Sequence, residues 1–244
     1  MSQKESNDEL PYLQVKIWRG GEDGQWANYE VPVRENQTVL DVVTEVQRRF
    51  EPGLAYRYAC RVGVCGSCAM TVNGTPKWTC RTHINKVAKD GTLSIAPLRN
   101  LPHIKDLVCD LSPFIDTWEK AGAPFVGKRT RNEEPEKVDP NSEARKTADA
   151  GLQCINCAVC YSACDVVAWN RDYIGPAGLN RAWTLVNDSR HALREETFDK
   201  AFQEGGCSSC HSQGNCTRHC PIGLNPSKSI AGLKKSALLG LPNV

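Results

Sequence analysis

All but two of the thirteen cysteines in this 244-residue chain fall into spaced runs, and that spacing constrains the fold more than any other feature. Cys60, Cys65 and Cys68 form C-x4-C-x2-C with Cys80 following, and Cys154, Cys157, Cys160 and Cys164 form C-x2-C-x2-C-x3-C. A third run, Cys210, Gln213, Cys216 and Cys220 followed by Pro221, repeats the second spacing with glutamine at its second position. These are the spacings at which thiolates grip iron-sulfur clusters, four ligands being the usual complement.

In the first run Gly63 and Gly66 lie between the ligands, where a missing Cβ lets the backbone curl tightly and aim N-H groups at sulfur. Cys60, Cys65, Cys68 and Cys80 predict a 2Fe-2S site. Zinc is the competing reading, but it favours two separated C-x2-C pairs, and Cys80 stands alone. A disulfide scaffold suits small secreted chains and leaves the motif spacing unexplained.

For the later runs, the bacterial two-cluster register assigns three cysteines of each run to one cluster and crosses the fourth to the other. Cys154, Cys157, Cys160 and Cys220 then hold a 4Fe-4S cluster. The other site receives Cys164, Cys210 and Cys216, while its fourth position is Gln213, a neutral amide that binds cluster iron poorly. Three ligands predict a 3Fe-4S cluster. Cys109 reads as a buried inert thiol in a helical apolar pattern. Cys207 lies outside the register and reads as a spectator, with a swing toward the open corner as its alternative.

The formal charge of +2 carries no basic block, so nucleic-acid binding is not expected. Met1 to Leu10 is polar and acidic and lacks the apolar core of an export signal. No stretch reaches membrane-spanning length, the best candidate near Ala237 to Leu241 being interrupted by Gly240 and Pro242. Cysteine-rich and without an evident signal, the chain is expected in a reducing compartment.

Residues 1–106 read as strands: Leu13, Val15 and Ile17 alternate with polar positions, and Tyr29 to Val33 returns after a Gly20–Gly24 turn. Thr38 and Asp41 make a capping box ahead of Val39, Leu40, Val42, Val43 and Val46, an amphipathic helix ending before Pro52-Gly53. Met70 to Val72 enters an Asn73-Gly74 hairpin turn. Strands, hairpins and one packed helix predict a β-grasp of the plant-type ferredoxin kind. Residues 107–244 read as all-helical and bacterial-ferredoxin-like, because Val108, Leu111, Ile115 and Trp118 recur at helical spacing. The fold class is thus α+β. Gly127 to Asp149, charged and poor in large apolar residues, reads as a surface-wrapping connection. Ser229 to Leu241 reads as a helix with one face inward and its lysines solvated, and contact of that basic face with lipid is the weaker alternative.

The three constellations in this order resemble the iron-sulfur subunit of succinate dehydrogenase and fumarate reductase over almost the whole chain. Tyr58-Ala59-Cys60-Arg61, Cys65-Gly66-Ser67-Cys68, Cys154-Ile155-Asn156-Cys157, Ile174 to Leu179, Asp188-Ser189-Arg190 and Cys220-Pro221 with Gly223-Leu224-Asn225-Pro226 carry the likeness. The resemblance implies an electron relay through the three clusters, between FAD in a flavoprotein subunit and quinone at the membrane interface. It also implies hydrophobic membrane-anchor partners and a peripheral place on the cytoplasmic face of the inner (plasma) membrane. No G-x-G-x-x-G fingerprint and no acid-base set for a dicarboxylate is evident, so carbon chemistry is expected in a partner, and no catalytic residue is assigned here.

Family members that reduce ubiquinone place a tryptophan and a histidine beside the quinone, and Trp169 and His211 match those positions. Ordinary packing roles are the alternative for both. The family usually has proline where this chain has Asp165. His83, His103, His191 and His219 match no ligand pattern and are expected at the surface or in packing. Quinol:fumarate reduction in the reverse direction, or service to another flavoprotein, remain the rival functions.

Overall fold

The structure, a computed structural model, describes residues 12–122 and 124–240. The expectations for Met1 to Leu10, and for Leu241 and Pro242, fall outside the described residues. The chain forms two compact units, one running to Pro97 and including His103–Val108, the other combining Leu98–Pro102 with the chain from Cys109 onward.

In the first unit β1 (Tyr12–Arg19) turns Leu13, Val15 and Ile17 inward, and β2 (Gln25–Pro32) pairs antiparallel with Val15 opposite Tyr29. Helix α1 (Val39–Arg49) starts where expected: Asp41 N-H donates to Thr38 Oγ1 at 3.2 Å, and Thr38 N-H donates to Asp41 Oδ2 at 2.9 Å. Its Val39, Val42, Val43 and Val46 are buried with the strand residues in one core, each aliphatic side chain contributing about 1.5–3 kcal/mol. β3 (Ala69–Val72) and β4 (Thr75–Trp78) form the hairpin around Asn73-Gly74. β5 (Thr92–Ala96) then slots between β1 and β3, parallel to the former and antiparallel to the latter, for the order β2-β1-β5-β3-β4. That sheet with one helix packed on it is the expected β-grasp.

β6 (His103–Lys105) pairs with β7 (Val108–Cys109), and the turn between them brings Leu107 into the first core. Buried Asp106 accepts from Gly20 N-H at 2.8 Å, Ala55 N-H at 2.8 Å and Arg19 Nε at 3.1 Å, and Arg19 also reaches Glu51 at 2.7 Å.

The second unit is helical: α2 (Ser112–Lys120), α3 (Glu143–Leu152), α4 (Val159–Ser162), α5 (Asp165–Trp169), α6 (Gly175–Val186), α7 (Arg194–Phe202), α8 (Asn215–Arg218) and α9 (Pro226–Leu239). Helix α6 is buried along nearly its whole length and packs against α2, α3, α7 and α9, as a helix without a polar face must. Ser229 Oγ on α9 donates to Asn180 Oδ1 on α6 at 2.8 Å.

Four expectations need correction. Val108 and Cys109 lie in β7, because α2 begins only at Ser112, where Pro113 fits the first helical turn. That helix buries Phe114 and Thr117, while Ile115 is 50% exposed. The connection from Gly127 ends at Ser142, whose side chain caps α3 by accepting from Arg145 N-H at 3.2 Å. Helix α3 packs with small residues: Ala148 is fully buried, and a Cβ at Gly151 would stand 1.9 Å from Thr184 Oγ1. On α9, Lys228 and Lys235 are solvated, but Lys234 Nζ turns inward to donate to the Cys210 carbonyl at 2.7 Å.

Burial pushes the Asp106 carboxyl up, but the N-H groups of Ala55 and Gly20 together with Arg19 outweigh it and hold the group below its usual range. Its stabilisation is therefore complete above about pH 4 and is lost as acidification passes through the depressed folded-state value. Asp106→Ala should cost the first unit about 3–5 kcal/mol, read as faster hydrogen exchange at β1 and β5 amides with α6 unaffected.

Candidate iron-sulfur sites

Cys60, Cys65 and Cys68 lie on the loop between α1 and β3, and Cys80 lies on a 3-10 turn, Thr79–Arg81, directly after β4. The backbone is arranged around sulfur: Val64 N-H points at Cys60 Sγ at 3.4 Å, Cys60 N-H at Cys65 Sγ at 3.5 Å, and Cys80 N-H at Cys68 Sγ at 3.4 Å. Thr79 ties the two segments together, donating from N and Oγ1 to the Cys68 carbonyl at 3.2 and 2.7 Å. The N-H groups of Val64 and Val62 lower the Cys60 thiol to about 6, whereas burial raises Cys80 to about 12. Gly63 has φ +80°, and a Cβ there would meet the Trp78 ring at 2.8 Å and Arg81 Cγ at 2.9 Å. The tight curl read from the sequence is thus also a close approach.

In the second unit Cys154, Cys157, Cys160 and Cys220 line one cavity with Phe114, Ala177 and Leu224, an empty volume of about 390 Å³ including its open mouth. Leu224 N-H donates to Cys220 Sγ at 3.3 Å. Burial raises Cys157 to about 12 and Cys160 well above the ordinary thiol value, and raises Cys154 while the Arg181 guanidinium pulls it back. These thiols favour their protons unless positive charge replaces them, which suits ligands of cationic iron.

Cys164, Cys210 and Cys216 are close enough to act on one another electrostatically: burial raises Cys164 first, and Cys216 and Cys210 add to it. Ser212 N-H points at Cys210 Sγ at 3.4 Å, and the Ser227 hydroxyl lies 3.3 Å from Cys216 Sγ. Gln213 is exposed. Trp169 and His211 are brought together, ring centroids 5.9 Å apart, and Trp169 is 61% exposed. Cys207 is fully buried, its thiol raised to about 11 by desolvation, and Cys109 donates to the Leu98 carbonyl at 3.3 Å from a buried position.

Sequence spacing gave no sign of three supporting residues. Asn100 Nδ2 reaches the carbonyls of Tyr161, Ser162 and Cys164 at 3.1, 3.2 and 2.9 Å, fixing the turn that presents Cys164. Tyr173, buried, lies close enough to Cys210 for the two to act on one another electrostatically, and Lys234 holds the Cys210 carbonyl. Each is a single residue outside any motif. Among the histidines, His191 is fully buried: its Nδ1 accepts from Val126 N-H at 3.1 Å, leaving Nε2 to donate to Thr197 Oγ1 at 3.0 Å.

Among the described residues no three His, Cys, Asp or Glu side chains converge as they would on one metal ion. Thiolates that grip the corners of a multi-iron cluster stand further apart than ligands of a single ion, and the N-H groups aimed at sulfur in all three places fit such ligands.

Residues 14–116 match a 2Fe-2S iron-sulfur cluster binding domain, and residues 153–225 match a 4Fe-4S dicluster domain. The mitochondrial succinate dehydrogenase (ubiquinone) iron-sulfur subunit 1 of Oryza sativa subsp. japonica is 37% identical over 202 residues, 82% of this chain and 71% of the relative. The chain belongs to the succinate dehydrogenase iron-sulfur subunit family. As a family member it is the iron-sulfur electron-transfer subunit of an oxidoreductase, with 2Fe-2S and 4Fe-4S binding domains. A chain in the Mycobacterium smegmatis Sdh1 complex in the apo form superposes with a TM-score of 0.83 at 26% identity, over 96% of this chain and 100% of that one. A hypothetical protein from Helicobacter pylori shares the fold at TM-score 0.58 and 15% identity, over 94% of this chain and 40% of that one.

Gly63→Val forces a side chain into Trp78 and Arg81 at a left-handed backbone position. The subunit should lose the 2Fe-2S spectrum and its share of iron and sulfide, while the later clusters keep theirs.

Proposed function

We propose that this chain is the wire of a membrane-associated succinate:quinone oxidoreductase, relaying electrons between a flavin in a partner flavoprotein and quinone at a hydrophobic anchor. The observation that carries the reading is the single cavity lined by Cys154, Cys157, Cys160 and Cys220, the reciprocal set required by two interleaved cluster runs. On that assignment Cys60, Cys65, Cys68 and Cys80 hold the 2Fe-2S cluster within residues 1–106. The remaining three, Cys164, Cys210 and Cys216, hold a 3Fe-4S cluster within residues 107–244, with exposed Gln213 leaving its fourth corner open. When bound, the clusters supply one-electron steps between a two-electron flavin and quinone.

The residues of the chain do the placing. Backbone N-H groups on the ligand loops hold sulfur in position, and Asn100 fixes the turn at Cys164. Trp169, at the end of α5 after Cys164, and His211, next to Cys210, form an exposed aromatic pair suited to donating an indole N-H and an imidazole N-H to quinone oxygens. Similarity to the rice succinate dehydrogenase (ubiquinone) subunit supports succinate oxidation as the direction. Among the described residues no helix is long and apolar enough to cross a membrane, which fits attachment through anchor subunits on the cytoplasmic face.

Electron paramagnetic resonance of the oxidised, anaerobically isolated complex should show a 3Fe-4S signal. Trp169→Leu should reduce quinone turnover on the order of tenfold, the value of one lost hydrogen bond, with dye-linked succinate oxidation unchanged. A protein recovered free of flavoprotein and membrane, or an unchanged quinone rate, would count against the proposal.

A further inference from the structure

We propose that Asp165 lowers the reduction potential of the third cluster and is held in place for that role by Asn215. The inference rests on the reading of Cys164, Cys210 and Cys216 as that cluster's ligands. Asp165 directly follows Cys164 and opens α5, while Asn215 directly precedes Cys216 and opens α8. Asn215 Nδ2 donates to Asp165 Oδ2 at 3.2 Å, a bond between residues 50 positions apart. Both side chains are half-buried, and the bond keeps the carboxylate from turning out to water.

One link therefore joins the immediate neighbours of two ligands, and it places a negative charge next to them. Adding an electron to a cluster adds negative charge, so a fixed carboxylate nearby opposes reduction, the more so where water is partly excluded. A positive charge also reaches the Cys210 segment, where Lys234 Nζ is held on the Cys210 carbonyl at 2.7 Å. Asp165, on α5, neighbours Cys164, whereas Lys234 reaches the Cys210 segment from α9. Asp165 acts on the cluster through its charge and not by contact with quinone or dicarboxylate.

The test is a redox titration of the 3Fe-4S resonance in the membrane-bound complex, with the 2Fe-2S potential as internal control. Asp165→Asn keeps the shape and an oxygen acceptor for Asn215 while removing the charge. The reduction equilibrium should rise on the order of tenfold, about 59 mV for a one-electron couple, with the 2Fe-2S value unmoved. Asp165→Glu, which keeps the charge, should stay near the parent. An unchanged or lowered potential in Asp165→Asn overturns the proposal, because a purely structural tie predicts no upward shift. Should that variant lose the third cluster, Asn215→Ala decides: releasing the carboxylate to solvent raises the potential if the proposal holds, and no rise overturns it. Absence of the 3Fe-4S resonance in the parent complex is a different failure, bringing down the ligand assignment and this inference with it.

Discussion

The cost of burying sulfur as an anion governs this molecule. Desolvation drives Cys80 and Cys157 to about 12 and Cys160 well above the ordinary thiol value, so each pocket opposes the thiolate that a cluster needs. Cationic iron removes that opposition, and backbone N-H groups aimed at sulfur share the remaining charge. Ligand deprotonation and iron binding at such buried thiols are therefore linked. The first loop is the exception that shows the balance: partly exposed Cys60, with the N-H groups of Val64 and Val62 on it, falls to about 6.

Much of the first unit was legible because each element announces itself locally. The alternation of Leu13, Val15 and Ile17, the Thr38–Asp41 capping box and the Asn73-Gly74 turn are short-range signals, and the structure obeys all three. The candidate ligand residues were proposed for a similar reason, since register is a property of the chain and not of its packing. The structure brings four of them, Cys154, Cys157, Cys160 and Cys220, to one cavity, as the reciprocal register expects.

What the sequence concealed depends on distance or on small residues. Helix α3 carries few large apolar side chains and so resembled a connection, yet Ala148 and Gly151 let it lie close against α6. Reading size as burial misses such an interface, because close packing needs small residues as much as large ones. Val108 and Cys109 matched a helical period by coincidence, and Pro113 set the true start of α2. Asn100, Tyr173 and Lys234 act on the ligand segments from far along the chain, as single residues with no motif around them.

The second unit shows how ligands from separate runs are kept in register without a sheet. Its central helix α6 offers Asn180 to Ser229 on α9, and the start of α9 in turn holds the last run, since Thr217 Oγ1 lies 3.0 Å from Asn225 Oδ1 and 2.9 Å from Ser227 Oγ. Ser227 then lies 3.3 Å from Cys216 Sγ. Polar contacts in the first turn of α9 thus link the buried core, through Ser229, to the sulfur of the candidate ligand Cys216, through Ser227. Because α9 is anchored by fully buried Leu233 and nearly buried Ile230, the ligand inherits the rigidity of the core. Rigid placement is what electron transfer requires, since reorganisation at the site opposes every hop, and the helical unit supplies it through packing where the first unit supplies it through a sheet.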